Sequence, residues 1–412
     1  NEDWMSVVIA SVIIALTLLI YEWVPTLPML FNPKEKWSGV EFLSGFLSRP
    51  NLLRILYIFI VFAVLAWAGS ILTGKGGSKF FLSFALIVGL AILAQVFSTH
   101  VSMKALNLET VFFSILIGLL ISNTMKVPEW MKPAIQSEFY IKIGLVLMGT
   151  SVLFNNLMKA GALGLVQALV VVISVWYIAF WIARKLKVDA ELSTMLASAV
   201  SICGVSAAIA TCGAIKGDNK KLSYVISLVL IVAIPMMILM PYLAKWMGLG
   251  QEVAGAWIGG TIDTTGAVVA SGTIIGEVAQ QMAVIIKSAQ NVLLGLAAFA
   301  ISVYWSYSGQ GAATEKPTVR IIWDRFPKFV IGFIATSLVF SFLLGPVAVK
   351  QAGDTIKGYQ SIWFSLAFVC IGLETRFRDF FTRENKRPFY SFLLAQTVNV
   401  LITLAVAWML FS

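Results

Sequence analysis

The chain has 412 residues, 59% of them hydrophobic and 12% charged, with a mean hydropathy of +0.89 and a formal net charge of +10. A soluble domain is roughly half apolar, so this composition excludes one. The apolar runs are continuous, which also excludes a transmembrane β-barrel, whose strands alternate over about 10 residues. No water is available inside a bilayer to bond the backbone, so such runs must be helices.

A window of about 20 residues places apolar spans at 5–23, 52–73, 80–98, 108–123, 137–156, 163–182, 190–216, 222–244, 253–272, 280–304, 328–348, 358–376 and 390–411. The first starts "NEDW", without a basic leader, and no small-residue cleavage site follows, so it reads as a membrane helix and not a signal peptide. Most connections are short. Two are longer and polar, 24–51 and 305–327; in the second, Trp323 and Phe326 stand among Arg320, Arg325 and Lys328, the pattern of an interfacial segment. The basic residues are scattered over loops rather than gathered in one patch, so lipid head groups, and no nucleic acid, are the expected partners. Counting them by side makes the face with 183–190, 305–328 and 376–389 cytoplasmic, N-terminus included.

Three cysteines, Cys203, Cys212 and Cys370, fall within spans and imply no disulfide framework. The single histidine, His100, rules out multi-histidine metal sites. There is no nucleophile elbow, zinc-protease motif or phosphate loop. The expectation is therefore a protein that is no enzyme and carries neither cofactor nor metal, its function vested in polar residues at membrane depth.

Five stretches stand out. In 198–221, Thr194 just upstream joins Ser198 and Ser201 on one helix face, and Gly204, Val205, Ser206, Ala207 and Ala208 follow as a run of mostly small residues. This is either tight helix packing or a discontinuous helix whose exposed amides hold a substrate. In "GAWIGGTIDTTGAVVASG", 255–272, Asp263 lies on a stripe of glycine and alanine, with Thr261, Thr264, Thr265 and Ser271 nearby and "DTTG" as a place for a helix to break or be capped. In "AVIIKSAQNVLLG", Lys287, Gln290 and Asn291 stand at i, i+3, i+4 on an apolar span, with Gln280 on a nearby face. A lysine so far from both helix ends cannot snorkel, so it should pair with a carboxylate, Asp263 being the first candidate, or bind an anion. The remaining two, "GLVLMGTSVLFNNL" (144–157) and "AFVCIGLETRFRDF" (367–380), share Gly149 with Gly372, Phe154 with Phe377 and Asn156 with Asp379. Running in opposite directions, they read as a weak inverted repeat. Glu374 and Lys142 add charges near the membrane, Lys142 and Arg376 as interface residues.

"SICGVSAAIA", "GGTIDTTGAVVASG", the lysine of "VIIKSAQNVLL" and "LAFVCIGLET" together resemble the bacterial YeiH-type sulfate exporter family over about residues 80–411. The resemblance implies kinship with bile-acid symporters and cation/proton antiporters. It implies an all-α integral membrane protein of about 13 transmembrane helices, about 11 in the core and 2 added at the N-terminus, with inverted repeats, discontinuous crossing helices, and core and scaffold domains. Residues 1–79 would be the N-terminal addition and 80–412 the transporter, a homodimer of the bacterial inner membrane working by elevator-type alternating access. The chain departs from the family where members often carry a His-Glu pair, here Asp263-Thr264, and where an arginine commonly follows the lysine by three, here Gln290. These changes leave open a differently coupled relative.

Two mechanisms follow. In one, sulfate or a small sulfonate is held by Lys287, by amides from Gly204 to Ala207, and by Ser201, Ser206, Thr264 and Thr265, with Gln290 and Asn291 lining the site. In the other, Asp263 takes a sodium ion or proton opposite Lys287, with Glu374 as a further candidate coupling charge, and the protein is a cation antiporter. The two can coexist. A passive anion channel is the third reading, separated from a carrier by the absence of counterflow.

Overall fold

Apolar runs that must satisfy their own backbone fold as helices throughout the computed structural model. It describes residues 2–20, 37–39, 45–105, 110–152, 154–307, 323, 326–344, 346–375 and 386–412, and among them there is no β-strand, only an isolated bridge between Trp37 and His100. The principal helices in chain order are α1 (Glu2–Ile20), α2 (Arg49–Leu72), α3 (Phe80–Thr99), α4 (Thr110–Thr124), α5 (Ser137–Met148), α6 (Phe154–Lys185), α7 (Ala190–Ser198) and α8 (Val205–Ile215). There follow α9 (Asn219–Trp246), α10 (Gln251–Thr261), α11 (Thr265–Ile275), α12 (Glu277–Tyr307), α13 (Lys328–Leu338), α14 (Pro346–Glu374) and α15 (Arg387–Phe411).

Among the described residues, eight helices are long and apolar enough to cross a membrane. The expected spans 108–123, 137–156, 190–216, 253–272 and 328–348 are not among these eight; the helices at 108–123, 137–156 and 328–348 are too short, and 190–216 and 253–272 are each broken in the middle into two short helices, α7/α8 and α10/α11.

The chain forms two compact units. The first comprises Asn1–Asn156 and Lys328–Arg376. Here α14 packs along α4 and α5. Gly118 and Gly372 bring α4 and α14 together backbone to backbone: a Cβ on Gly118 would stand 2.5 Å from the Val369 carbonyl oxygen and 2.8 Å from Gly372 Cα. An aromatic core sits beside them, Trp363 stacking on Phe62 with centroids 4.7 Å apart and lying 5.6 Å from Tyr140. Helix α1 is held by charge: Lys142 Nζ on α5 lies 3.0 Å from Glu2 Oε1 and 2.9 Å from Asp3 Oδ1, Lys75 also pairs with Glu2, and the Lys328 amide donates to Asp3 at 3.0 Å. The described residues of 1–79 thus pack within this unit, α1 against α5 and α13 and α2 against α3. Of the two similar stretches, 144–157 runs from α5 into α6 and 367–375 ends α14. Residues 376–380, with Arg376, Phe377 and Asp379, lie outside the described residues, as do 21–36, Arg320 and Arg325 of the polar linkers.

The second unit comprises Leu157–Pro327 and Phe377–Ser412. Helices α10 and α12 press together at the glycine stripe, where a Cβ on Gly255 or Gly259 would stand 2.5 Å from the carbonyl oxygen of Ala279 or Ala283. That GxxxG pair is therefore a packing device.

Candidate functional site

Each interruption in the second unit has a local cause. Helix α7 is started by Asp189, whose carboxylate accepts from the Leu192 amide at 3.1 Å. After Ser198 the chain widens into a π-type turn that ends where the Gly204 amide reaches the Ala199 carbonyl at 3.0 Å. Gly204 has φ +60° and ψ −110°, a conformation that side chains forbid, and helix α8 restarts at Val205. Helix α10 ends at Thr261, Ile262 is extended, and Thr264 caps α11 by accepting from the Ala267 amide at 3.4 Å.

The two interruptions touch. A Cβ on Gly204 would lie 3.0 Å from Asp263 Cβ and 2.7 Å from a Val229 methyl, so only glycine permits the approach. Breaking a helix also orphans the carbonyls at its end. Here side chains from α12 and α15 supply the missing donors. Lys287 Nζ donates to Ile202 O at 2.7 Å, Gln290 Nε2 to Gly260 O at 2.9 Å, and Gln396 Nε2 to Thr261 O at 3.0 Å. Asn399 Nδ2 donates to Val200 O and Thr261 O, both at 3.1 Å, and so bridges the two interruptions. Thr403 Oγ1 donates to Asn399 Oδ1 at 2.9 Å and fixes its orientation.

The predicted Asp263–Lys287 ion pair does not form. Lys287 is 1% exposed, and its ammonium is engaged by the Ile202 carbonyl and by Gln290 Oε1 at 3.0 Å, at a helix C-terminus whose partial negative charge suits a cation. Asp263, also 1% exposed, has neither carboxylate oxygen in a hydrogen bond of normal geometry; the Lys287 charge and the Gln396 amide act on it from beyond bonding distance. Near the crossing, Ser201 Oγ, Asn291 Oδ1 and Gln396 Oε1 are likewise buried without partners. All of these orphans are oxygens, and the amide oxygens and carboxylate can only accept.

The other expected residues scatter. Ala207 is buried, Val205 half-buried and Ser206 exposed, while Thr264 and Thr265 are half-buried, Thr265 Oγ1 lying 3.4 Å from Asn291 Nδ2. Thr194 bonds back to Ala190 O and Ser198 accepts from Trp176 Nε1 at 3.0 Å, so of that hydroxyl face only Ser201 is left over. Gln280 bonds Thr273. Glu374 belongs to the first unit, where it accepts from the Ser137 hydroxyl at 2.5 Å and amide at 3.4 Å. Among the described residues there is no cluster of three or more His, Cys, Asp or Glu able to hold a metal. Sequence reasoning missed Gln396 and Asn399. Their signal was present: Gln396, Asn399 and Thr403 follow i, i+3, i+7 on an apolar helix, the same rule that singled out Lys287.

Fold and site together define a multi-pass, all-helical membrane protein with two interrupted helices meeting at a buried carboxylate. The chain belongs to the family described as Conserved hypothetical protein 698, which matches residues 82–391. It is similar to a UPF0324 membrane protein of Rhodopirellula baltica, 38% identical over 405 residues, 95% of this chain and 74% of that one. A UPF0324 membrane protein of Nitratidesulfovibrio vulgaris is 36% identical over 406 residues, 95% and 69% respectively. No solved structure matches.

Proposed function

We propose that the protein is a secondary active transporter whose coupling group is Asp263, taking up a sodium ion or a proton where the two interrupted helices meet. One observation carries this reading: a carboxylate 1% exposed with both oxygens unpartnered. An isolated buried carboxylate is costly enough that it takes up a proton or a cation, or is replaced in evolution. The surrounding orphan oxygens of Ser201, Asn291 and Gln396 are what a dehydrated cation needs, whereas an anion needs donors.

The resemblance to YeiH-type exporters supplies the cargo to test, sulfate or a related sulfur oxyanion or sulfonate. Its place would be the first turns of α8 and α11. The amides of Val205, Ser206 and Ala207 have no acceptor within their own helix, and Gly204 offers no side-chain cap. Ser206, Thr264 and Thr265 would add hydroxyls, and Lys287 would contribute its field rather than a contact. On this reading the chain crosses the bacterial inner membrane about thirteen times, pairs as a homodimer and alternates access by an elevator motion of the unit carrying the crossing. A pure sodium or proton antiporter uses the same Asp263 without the anion.

The test is labelled-sulfate flux into liposomes holding the purified protein, driven by an imposed sodium or proton gradient, with Asp263→Asn beside wild type. Gradient-driven flux in wild type and only downhill exchange in the variant is the expected result. Equal gradient dependence in both would remove Asp263 from coupling. Proton or sodium movement without sulfate would select the antiporter.

A further inference from the structure

The interrupted spans 190–216 and 253–272 are each long enough in sequence to pass through a bilayer once, but their contacts run otherwise. The start of α7 lies beside the end of α8. Glu191 accepts from the Asp218 amide, and Lys221 Nζ donates to Asp189 at 2.8 Å and to Glu191 at 2.6 Å. Between these points the chain goes in through α7, turns at Gly204 and comes back through α8, which packs along α7.

The second span behaves alike. Gln251, the first residue of α10, accepts from the Ala279 amide at 3.4 Å, and a Cβ on Gly276, just past α11, would stand 2.6 Å from Gln251 Oε1. Register against α12 fixes the directions. Gly255 and Gly259 meet Ala279 and Ala283, so α10 runs parallel to α12, whereas Gly272 meets Gln280 and Thr265 meets Asn291, so α11 runs antiparallel to it.

Length and charge agree with a return. Helices α8, α10 and α11 have eleven residues each, a rise of about 16 Å, which is half of a hydrocarbon core of about 30 Å. Helix α9, with 28 residues, extends over about 42 Å and crosses completely. It leaves the base of the first hairpin at Lys221 and reaches the base of the second, where Lys245 Nζ donates to Ile274 O at 2.7 Å. The two bases therefore lie on opposite faces. A return at Gly204 moves Lys216, Lys220 and Lys221 to the face of Arg184, Lys185 and Lys187 and sends only Lys245 the other way, which sharpens the basic bias of the cytoplasmic face.

From these contacts, lengths and charges we infer that residues 190–217 and 251–276 are re-entrant hairpins that enter from opposite faces and meet tip to tip at Asp263. The number of crossings falls by two from the hydropathy count. Hairpin plus crossing helix, 190–246 and 251–307, then form an inverted repeat. Residues 229 and 287 are each the eleventh of their crossing helix: Val229 borders the Gly204 turn, and Lys287 in the equivalent place donates to Ile202 O of that turn. One hairpin separates Asp263 from each face. The inference rests on no assumption about cargo or coupling.

The test is labelling of single added cysteines by a membrane-impermeant maleimide in right-side-out and inside-out vesicles holding the protein. Lys185→Cys, Lys220→Cys, Glu252→Cys and Glu277→Cys occupy exposed positions flanking the hairpins, and wild type, whose three cysteines are buried, supplies the background. Lys185→Cys and Lys220→Cys are expected to react in one vesicle orientation and be silent in the other, with Glu252→Cys and Glu277→Cys showing the reverse. A crossing helix would split a pair between orientations. Such a split in either pair, or all four cysteines on one face, would overturn the inference. Because the readout is labelling and not flux, a failure of the transport reading leaves it unaffected.

Discussion

Among the described residues Asn399 is the side chain whose single amide group joins both interrupted helices, and Asn399→Leu removes that link while keeping the same number of side-chain heavy atoms. In the structure the loss falls unequally. Thr261 O keeps Gln396 as a donor at 3.0 Å, so there the cost is one bond of several, about 0.5–1.5 kcal/mol. At Val200 O the Asn399 amide is the side-chain donor and the residue is 2% exposed, so the carbonyl stays buried with that donor gone, about 1–3 kcal/mol. Interhelical bonds within membrane proteins average nearer 0.6 kcal/mol because the disrupted state finds other partners. No such partner is at hand beside a fixed π-type turn, and we expect a total of about 2 kcal/mol. The assay is reversible unfolding of the purified protein in mixed micelles with Asn399→Leu, Gln396→Leu and the double variant. Because the two amides share Thr261 O, the double variant should lose more than the sum of the single ones, by about 0.5 kcal/mol or more. A single-variant loss below about 0.5 kcal/mol, or strict additivity, would refute the bridging role.

Gly204→Ala places a methyl group 2.7 Å from Val229 and 3.0 Å from Asp263 at a φ of +60°, and should cost about 3 kcal/mol or more in unfolding measurements; an unfolding midpoint equal to wild type would show that the crossing is looser than described. Lys287→Met frees the buried Ile202 carbonyl and should destabilise by about 1–3 kcal/mol while sulfate KM in counterflow rises only modestly, a field being lost and not a contact. A tenfold rise in KM at unchanged stability would instead make the lysine an anion ligand. Asp263→Asn deletes an unpartnered buried charge and should raise the unfolding midpoint in sodium-free buffer, whereas a residue with a purely structural role would lower it. Outside the membrane, burial raises the Asp189 carboxyl, but Lys221 and the Leu192 amide outweigh it and hold the group below its ordinary value of 3.8. Its contribution is therefore complete above that value and disappears as pH falls through the lower folded-state value, so Asp189→Asn should destabilise by less than about 1 kcal/mol at neutral pH and by nothing in strong acid.

How much of this was legible in the sequence depended on what each signal measures. Continuous apolar runs report the solvent, so the membrane class and most span positions followed from hydropathy alone. Small residues around Gly204 and the "DTTG" turn reported broken helices, because a backbone that leaves the helical path needs glycine or a capping hydroxyl, and both breaks lie there. Adjacency of spans suggested that Asp263 and Lys287 pair, and this failed because a broken helix creates acceptors that no hydropathy pattern shows. The Ile202 carbonyl exists as an orphan only once the break exists, and it claims the lysine. Gln396 and Asn399 escaped notice for the same reason. They lie far along the chain from the carbonyls they serve, separated by 135 and 199 residues, and nothing local connects the two.

The distribution of donors and acceptors at the crossing carries the functional argument furthest. A fold concerned only with stability would match every orphan at a break, since each buried mismatch costs more than a bond returns. Here the carbonyls of Val200, Ile202, Gly260 and Thr261 at the two helix ends have been supplied, by four side chains on two helices, one of them a lysine buried to do it. The oxygens of Asp263, Ser201 and Asn291, beside the same breaks, have not. Packing pressure does not produce that division, because an asparagine at 263 could donate where the aspartate cannot. A site that must be filled and emptied does produce it, since its scaffold has to be finished while its ligating atoms stay open. That contrast is why the aspartate, rather than the lysine that drew attention in the sequence, is the residue on which the proposed transport should depend.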